Sequence, residues 1–234
     1  MGGPSPATAR EAGLPDASIT TPDALIASGL ARPERRSELE QVAARYAVAI
    51  TPAMAELIDP TDAADPIARQ FVPEGAELRR LPAELADPIG DEVHSPVEGL
   101  VHRYPDRVLL KPVSVCAVYC RFCFRRETVG PGRALSPRAL AAALDYVAAH
   151  PAIWEVILSG GDPLVLSPRR LGSLLRRLAA IPHVKVLRLH SRVPAVDPAR
   201  VTAALAAAIR VEGAATWLVL HANHPRELTD AARA

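Results

Sequence analysis

Lysine is almost absent from this 234-residue chain, and cysteine is confined to one short stretch. Lys111 and Lys185 are its only lysines, so arginine supplies nearly all the positive charge. Basic and acidic residues nearly cancel, to a formal net charge of +1, which gives no signal for nucleic-acid binding. No apolar run approaches the roughly 20 residues that span a bilayer, and no secretory signal is visible. These absences predict a cytoplasmic protein with neither nucleic acid nor a membrane as partner.

All three cysteines, Cys116, Cys120 and Cys123, lie within eight residues in the spacing Cys-x-x-x-Cys-x-x-Cys. Three thiolates in one loop can bind three irons of a [4Fe–4S] cluster and leave the fourth iron open to another ligand. A cluster used only for electron transfer normally takes four protein ligands. The spacing therefore indicates an iron–sulfur site that performs chemistry.

A disulfide framework, a structural zinc site and chance clustering fit the three cysteines less well. A disulfide framework needs an even number of cysteines in a small secreted chain. A structural zinc site needs four ligands, usually in two separated pairs, and His94, His102 or His190 would have to supply the fourth. Chance clustering of buried cysteines does not fit a loop made polar and basic by its tyrosine and arginines.

The N-terminal part of the chain divides into two regions. Residues 1–20 are small, polar and rich in proline and glycine, and they predict a disordered start. Residues 21–100 predict a helical extension followed by an arm. Its helices run from Pro22 to about Tyr46, capped by Thr21 and interrupted at a proline, and from Thr51 onward. The arm, over residues 59–98, is rich in proline and aspartate.

Residues 101–234 alternate apolar β-branched runs with helical segments, which predicts parallel βα units. The predicted strands are VLLKPVSV, WEVILSGG, VKVLRLHS and TWLVLHA. The predicted helices are 137–149 with the cap Ser136, the helix from Ser167 to about Ala179, 198–210, and a last one from Pro225. Each strand ends in polar or glycine residues, so these residues are expected to share the carboxyl-terminal rim of a barrel.

The cysteine spacing, with Tyr119 and Phe122 just before the second and third cysteines, resembles the signature of the radical S-adenosylmethionine (SAM) superfamily. This resemblance implies that the open iron chelates SAM, which is cleaved to a 5′-deoxyadenosyl radical. It also implies an α/β fold, a partial (βα) barrel usually of six units. About four units are expected here, preceded by the helical extension.

The run DPIGDEVHSPVEGLVHRYPDRVLLKPVSVCAVYCRFCFRRETVG resembles the lysine 2,3-aminomutase family, and the similarity extends over roughly residues 45–230. The resemblance implies an isomerase that uses SAM, the cluster and pyridoxal phosphate (PLP) to move the amino group of a free amino acid, converting L-lysine to β-lysine. A low-potential electron donor such as flavodoxin or ferredoxin would supply the electron. The resemblance is also compatible with a homo-oligomer.

The resemblance also assigns roles to individual residues. Cys116, Cys120 and Cys123 would bind the cluster, and Arg125 would pair with the substrate carboxylate as the catalytic-site residue. The cofactor-binding residues would be Arg103 and Arg107 on the PLP phosphate, Tyr104 beside PLP, and, around SAM, Gly160, Gly161, Asp162, Arg192, His221 and Asn223. From the residues alone, the HRYPDR run around Tyr104 fits a solvated basic turn better than a phosphate site, and GGDP fits a tight strand–helix turn as well as a ligand site.

Two expected features are missing from the sequence. The family's Schiff-base lysine and the acidic residues for the substrate's distal amine lie downstream of the regions present here, and neither Lys111 nor Lys185 occupies the lysine position. We therefore expect a truncated chain that does not complete the amino shift alone. The alternatives are an aminomutase for another substrate, such as glutamate or the elongation factor P β-lysine pathway, and a non-catalytic iron–sulfur remnant.

Overall fold

The computed structural model describes residues 17–130 and 132–234. The strands are β1 Leu100–Tyr104, β2 Arg107–Val113, β3 Glu155–Gly160, β4 Val186–Ser191 and β5 Ala215–Leu220. The helices are α1 Pro22–Ala27, α2 Arg36–Ala43, α3 Pro52–Leu57, α4 Ala68–Phe71, α5 Pro137–Ala149, α6 Pro168–Ala179, α7 Val193–Val196, α8 Ala203–Ala208 and α9 Asp230–Arg233. Short 3-10 helices lie at Pro33–Arg35, Gly75–Leu78, Glu92–His94, Pro163–Val165, Pro198–Arg200 and Pro225–Glu227.

Within the described residues, the five strands form one sheet in sequential order, and the sheet does not close on itself. β1 runs antiparallel to β2, and β2 to β5 are mutually parallel. Parallel neighbours joined by helices are the repeating unit of a (βα) barrel, because each crossover covers one face of the sheet. The sheet confirms the predicted partial barrel.

The helix starts confirm the signals found in the sequence. The hydroxyls of Thr21, Thr51, Ser136 and Ser167 each accept a backbone N–H of the first turn that they cap. A proline follows each of them at the first helical position, where no N–H is needed. Helices α5 and α6 then bury leucine, valine and alanine side chains against the outward face of β2, β3 and β4.

The N-terminal elements pack a second core against the end of the barrel that carries the cysteines. Leu25, Ile50 and Phe71 are fully buried there, in contact with a cluster that also holds Val118 of the cysteine loop and Val196 of α7. Apolar burial stabilises this arrangement by roughly 1.5–3 kcal/mol for each large side chain. The extension therefore supports the site directly.

Several boundaries differ from the sequence-based prediction. The predicted disorder over residues 1–20 lies mostly outside the described residues, but Ile19 is buried and pairs with Ile50. The arm over 59–98 contains helix α4, which the proline content obscured. The predicted helix over 198–210 is split because Thr202 caps a new helix, α8, and the last predicted helix becomes a 3-10 turn followed by α9.

The segment around Arg103 is part of the sheet, whereas the sequence placed it before the first strand. Leu100 pairs with Leu110, and Tyr104 pairs with Arg107 across a tight turn. The burial of Leu100 and Val101 against the core fixes this hairpin. At the other end of the sheet, β5 exposes Trp217 and the apolar residues after it. None of the helices in the described part of the chain is long and apolar enough to cross a membrane.

Candidate functional site

The cysteine loop follows the carboxyl end of β2 and is held by the N-terminal extension. The N–H of Tyr119 donates to the carbonyl of Ala49 at 2.8 Å, and the N–H of Arg121 donates to the carbonyl of Gln70, also at 2.8 Å. The buried guanidinium of Arg121 pairs with Glu77 at 2.5 Å. These contacts fix the loop backbone from outside the barrel.

Cys116, Cys120 and Cys123 are all free thiols and half-buried. Burial raises the pKa of Cys116, and the charge of Asp162 raises it further. Burial also raises the pKa of Cys120, against the charge and hydrogen bond of Arg192, which act to lower it. A bound metal reverses this preference, because a coordinating thiol is deprotonated by the cation. The loop thus offers soft sulfur ligands that become thiolates when iron binds.

The described residues contain no group of three or more Cys, His, Asp or Glu side chains arranged to hold a single metal ion. Of the histidines considered for a zinc site, His102 is engaged with the hydroxyl of Tyr146 at 2.9 Å. In a cubane, each thiolate binds a different iron, so the three sulfurs need not converge on one point.

The glycine turn after β3 lies against the backbone of the cysteine loop. Gly160 has a φ of +93°, and a Cβ on Gly161 would come within 2.5 Å of the carbonyl oxygen of Val115. The N–H of Asp162 donates to that same oxygen at 2.9 Å. These glycines therefore allow the turn after β3 to lie directly against the cysteine loop.

The carboxylate of Asp162 is buried and is used inside the fold. It accepts hydrogen bonds from Ser191 Oγ at 2.7 Å and from the backbone N–H of Arg192 at 2.8 Å. It also accepts the N–H of Leu164 at 3.0 Å. Asp162 thereby ties the turn after β3 to the end of β4.

Arg192, His221 and Asn223, predicted from separate strand ends, meet in one network with two residues that the sequence analysis missed, Gln70 and Glu227. Arg192 Nη1 donates to Cys120 Sγ at 3.0 Å, and its Nη2 donates to Glu227 at 2.6 Å and to Gln70 Oε1 at 2.9 Å. Asn223 Nδ2 donates to the same Gln70 oxygen at 3.0 Å. His221 Nε2 lies 2.8 Å from Asn223 Oδ1.

One nitrogen of this network has no acceptor. Arg192 Nε is buried and finds no hydrogen-bond partner among the described residues. A buried unsatisfied donor is costly unless a ligand supplies its acceptor. This unpaired donor beside Cys120 is consistent with a polar group bound next to the cysteines, as SAM on a cluster would be.

Arg125 lies two residues after the last cysteine, against Asp91, a residue that the sequence analysis also missed. Its Nε donates to Asp91 Oδ2 at 2.8 Å, and Lys111 Nζ reaches the same oxygen at 3.4 Å. Burial acts to raise the pKa of Asp91, but the hydrogen bond and charge of Arg125 and the charge of Lys111 outweigh it, so that pKa falls below its ordinary value.

A cavity of about 270 Å³ opens beside this group. Its lining includes Lys111, Arg125, Gly160 and Gly161. Asp91 engages only the Nε of Arg125, and no hydrogen bond of its two terminal nitrogens is found within residues 17–130 and 132–234. The guanidinium also lies over the ring of Phe124, 4.6 Å from its centroid, so its two terminal nitrogens are its remaining hydrogen-bond donors.

The residues predicted to hold PLP lie at the hairpin, at the opposite end of β2 from the cysteines. Arg107 makes two hydrogen bonds to Asp106, at 2.9 and 2.8 Å, and lies 3.5 Å from the buried Glu155. Arg103 donates to the carbonyl of Ile89. Hydrogen bonds from Arg107 and Trp154 lower the pKa of Asp106 to about 2. The two arginines thus have separate protein partners.

Comparison with known proteins places these features in a family. Residues 110–230 match the model of the radical SAM superfamily. The chain is 40% identical over 198 residues to the L-lysine 2,3-aminomutase of Clostridium subterminale, covering 84% of this chain and 47% of that protein. It is 44% identical over 169 residues to the L-lysine 2,3-aminomutase of Escherichia coli, covering 72% of this chain and 49% of the relative. The chain spans about half the length of these curated relatives.

Proposed function

The chain belongs to the radical SAM superfamily, and on that premise we propose that it acts in the 2,3-migration of an amino group in a free amino acid. Cys116, Cys120 and Cys123 would hold the [4Fe–4S] cluster that the superfamily implies, with SAM on the open iron. Cluster and SAM together supply a radical able to remove hydrogen from an unactivated carbon. The chain's own residues bind and orient the groups around it.

The position of Arg125 is the observation that carries this proposal. Its side chain is 12% exposed, is held at Nε by Asp91, and lines a cavity together with the glycine turn beside the cysteine loop. Two parallel N–H groups match the two oxygens of a carboxylate. An amino acid whose carboxylate is bound by Arg125 would have its α- and β-carbons close to the cysteine loop.

The PLP assignment rests on the two arginines of the hairpin. The Arg107–Asp106 pair is partly exposed, and exposed ion pairs contribute little to stability. A bound phosphate would displace Asp106 from Arg107, while the buried carboxylate of Glu155 stays 3.5 Å from the same guanidinium. Arg103 and Tyr104 flank the same turn and would complete the phosphate site. L-lysine is the first substrate to test, since the Clostridium subterminale and Escherichia coli relatives are named for it.

The proposal is tested with the reconstituted chain under anaerobic conditions. Iron and sulfide are loaded, SAM and dithionite are added, and 5′-deoxyadenosine is measured with and without PLP and L-lysine. We expect 5′-deoxyadenosine formation, increased by the amino acid. Arg125→Gln should abolish that increase and keep the basal cleavage, because the carboxylate loses its charged partner.

Arg126→Gln is the matched control, because Arg126 pairs with Glu84 and has no place in the cavity. It should behave like the parent chain. A loaded cluster that never cleaves SAM would overturn the radical mechanism and favour an iron–sulfur remnant. Cleavage that no amino acid alters, glutamate included, would overturn the aminomutase function. A physiological reductant such as flavodoxin or ferredoxin is proposed in place of dithionite.

A further inference from the structure

Arg192 connects a cluster-ligand cysteine to two distant parts of the chain. It follows β4, and its Nη1 donates to Cys120 Sγ at 3.0 Å. Its Nη2 reaches Gln70 of helix α4 and Glu227 near the end of the described chain. The backbone N–H of Arg192 is fixed in turn by Asp162. Contacts with four other residues therefore fix the position of Arg192.

The pair formed by Arg192 and Glu227 is almost completely removed from water. The side chain of Arg192 is 8% exposed and that of Glu227 is 0% exposed. Gln70 Nε2 and the backbone N–H groups of Asn223 and His224 all donate to the other carboxylate oxygen of Glu227, Oε1. Charges in such surroundings are weakly screened, so both act strongly on a nearby group.

We propose that Arg192 is a positioning residue that raises the reduction potential of the cluster through its hydrogen bond to Cys120. The negative charge of Glu227 partly cancels this effect. Reduction adds negative charge to the cluster and its thiolates. A cationic donor to a ligand sulfur stabilises the reduced state and raises the potential, whereas the carboxylate behind it lowers the potential. The proposal rests on the cluster of the proposed function, and it requires neither PLP nor an amino acid.

The two charges predict shifts of opposite sign, which a purely structural role does not. The cluster is reconstituted in the 234-residue chain, and its midpoint potential is measured by redox titration followed by electron paramagnetic resonance, without SAM. Arg192→Gln should give a more negative midpoint potential. Glu227→Gln, which keeps the shape and leaves Arg192 uncompensated, should give a less negative one.

Arg188→Gln is the matched control, because Arg188 lies on the same strand, β4, and pairs with Glu155. It should leave the potential unchanged. Shifts of the same sign in both test variants, or no shift at unchanged iron and sulfide content, would overturn the proposal. If Arg192→Gln fails to fold, Arg192→Lys and Glu227→Gln test the proposal instead. Lysine keeps the positive charge, so Arg192→Lys should shift the midpoint potential less than Glu227→Gln does. Assaying SAM cleavage in parallel separates this result from failure of the proposed function.

Discussion

At the scale of single residues, the candidate site depends on residues that hold its loops in one position. Gly161 touches the cysteine-loop backbone, and Asp91 orients Arg125 from a different segment. Neither contact adds a chemical group that reacts. Both contacts fix the position of a candidate site residue, so small substitutions there are expected to have specific effects.

Gly161→Ala should disturb the cysteine loop. The added Cβ would lie 2.5 Å from the oxygen and 2.6 Å from the nitrogen of Val115, both backbone atoms that cannot rotate away. We expect a loss of about 1–3 kcal/mol in the free energy of unfolding and a lower iron content after reconstitution. Gly172→Ala is the control, because its nearest neighbour is the flexible end of Arg176. Equal iron binding by both variants would contradict the prediction.

Asp91→Asn should weaken the response to the amino acid. The amide keeps the size of the side chain and removes the charge that holds Arg125, an interaction worth about 1.5–3 kcal/mol. The amino acid concentration for half-maximal stimulation of SAM cleavage should rise about tenfold or more, with basal cleavage unchanged. Glu92→Gln, at an exposed neighbouring position, should behave like the parent chain. An unchanged half-maximal concentration would show that Asp91 does not position Arg125.

At the scale of elements, the helices that cover the sheet start where their caps lie. Helix α6 buries Leu171, Leu174, Leu175 and Leu178 against the sheet, and Ser167 accepts the N–H of Arg170 at its start. The apolar face supplies most of the stability of such a helix, and the cap fixes its first turn.

Ser167→Ala should therefore lower the free energy of unfolding by about 1 kcal/mol, because an N–H of the first turn loses its acceptor. Urea unfolding followed by circular dichroism measures the change. Ser173→Ala, on the exposed side of the same helix, should be neutral or slightly stabilising, since alanine favours the helix interior. Similar losses in both variants would argue against the cap.

At the scale of the whole molecule, charged contacts join the N-terminal extension to the last described segment. Asp65 is fully buried and accepts a hydrogen bond from Arg226 at 2.7 Å. Arg226 also donates to the carbonyl of Leu57. Burial acts to raise the pKa of Asp65, but hydrogen bonds from Ala68 and Arg226 outweigh it and hold that pKa below its ordinary value.

A carboxylate with a lowered pKa stabilises the fold above its unfolded pKa and loses that effect as the pH falls through its folded pKa. Asp65→Asn should therefore be less stable than the parent chain by about 1–3 kcal/mol at pH 7. The difference should persist at pH 5 and shrink as the pH falls below about 4. Urea midpoints at pH 7, 5, 4 and 3 measure it. Asp145→Asn, at an exposed position on α5, should show no such difference. A stability difference between Asp65→Asn and the parent chain that does not change with pH would contradict a lowered pKa of Asp65.

Helix starts and the alternation of strands and helices could be predicted from the sequence, because the signals for them extend over only a few residues. The hydroxyl caps Thr51, Ser136 and Ser167 start helices where expected, and alternating strands and helices indicated the open barrel. The signals failed at Arg103, where strand pairing across the hairpin overrode a polar, proline-containing run. They also failed at helix α4, because its burial comes from residues far away in the sequence.

The sequence by itself determined the cysteine spacing, the order of the four parallel strands and the end of the sheet at which their polar residues lie. Only the tertiary structure decided which partners complete the site. Asp91 is 34 residues from Arg125, and Gln70 is 157 residues from Glu227. No periodicity or cap links residues so far apart, since packing of the extension against the barrel brings them together. The three cysteines and the arginines near them could be named from the sequence, whereas Asp91, Gln70 and Glu227, which hold those arginines, were found only in the fold.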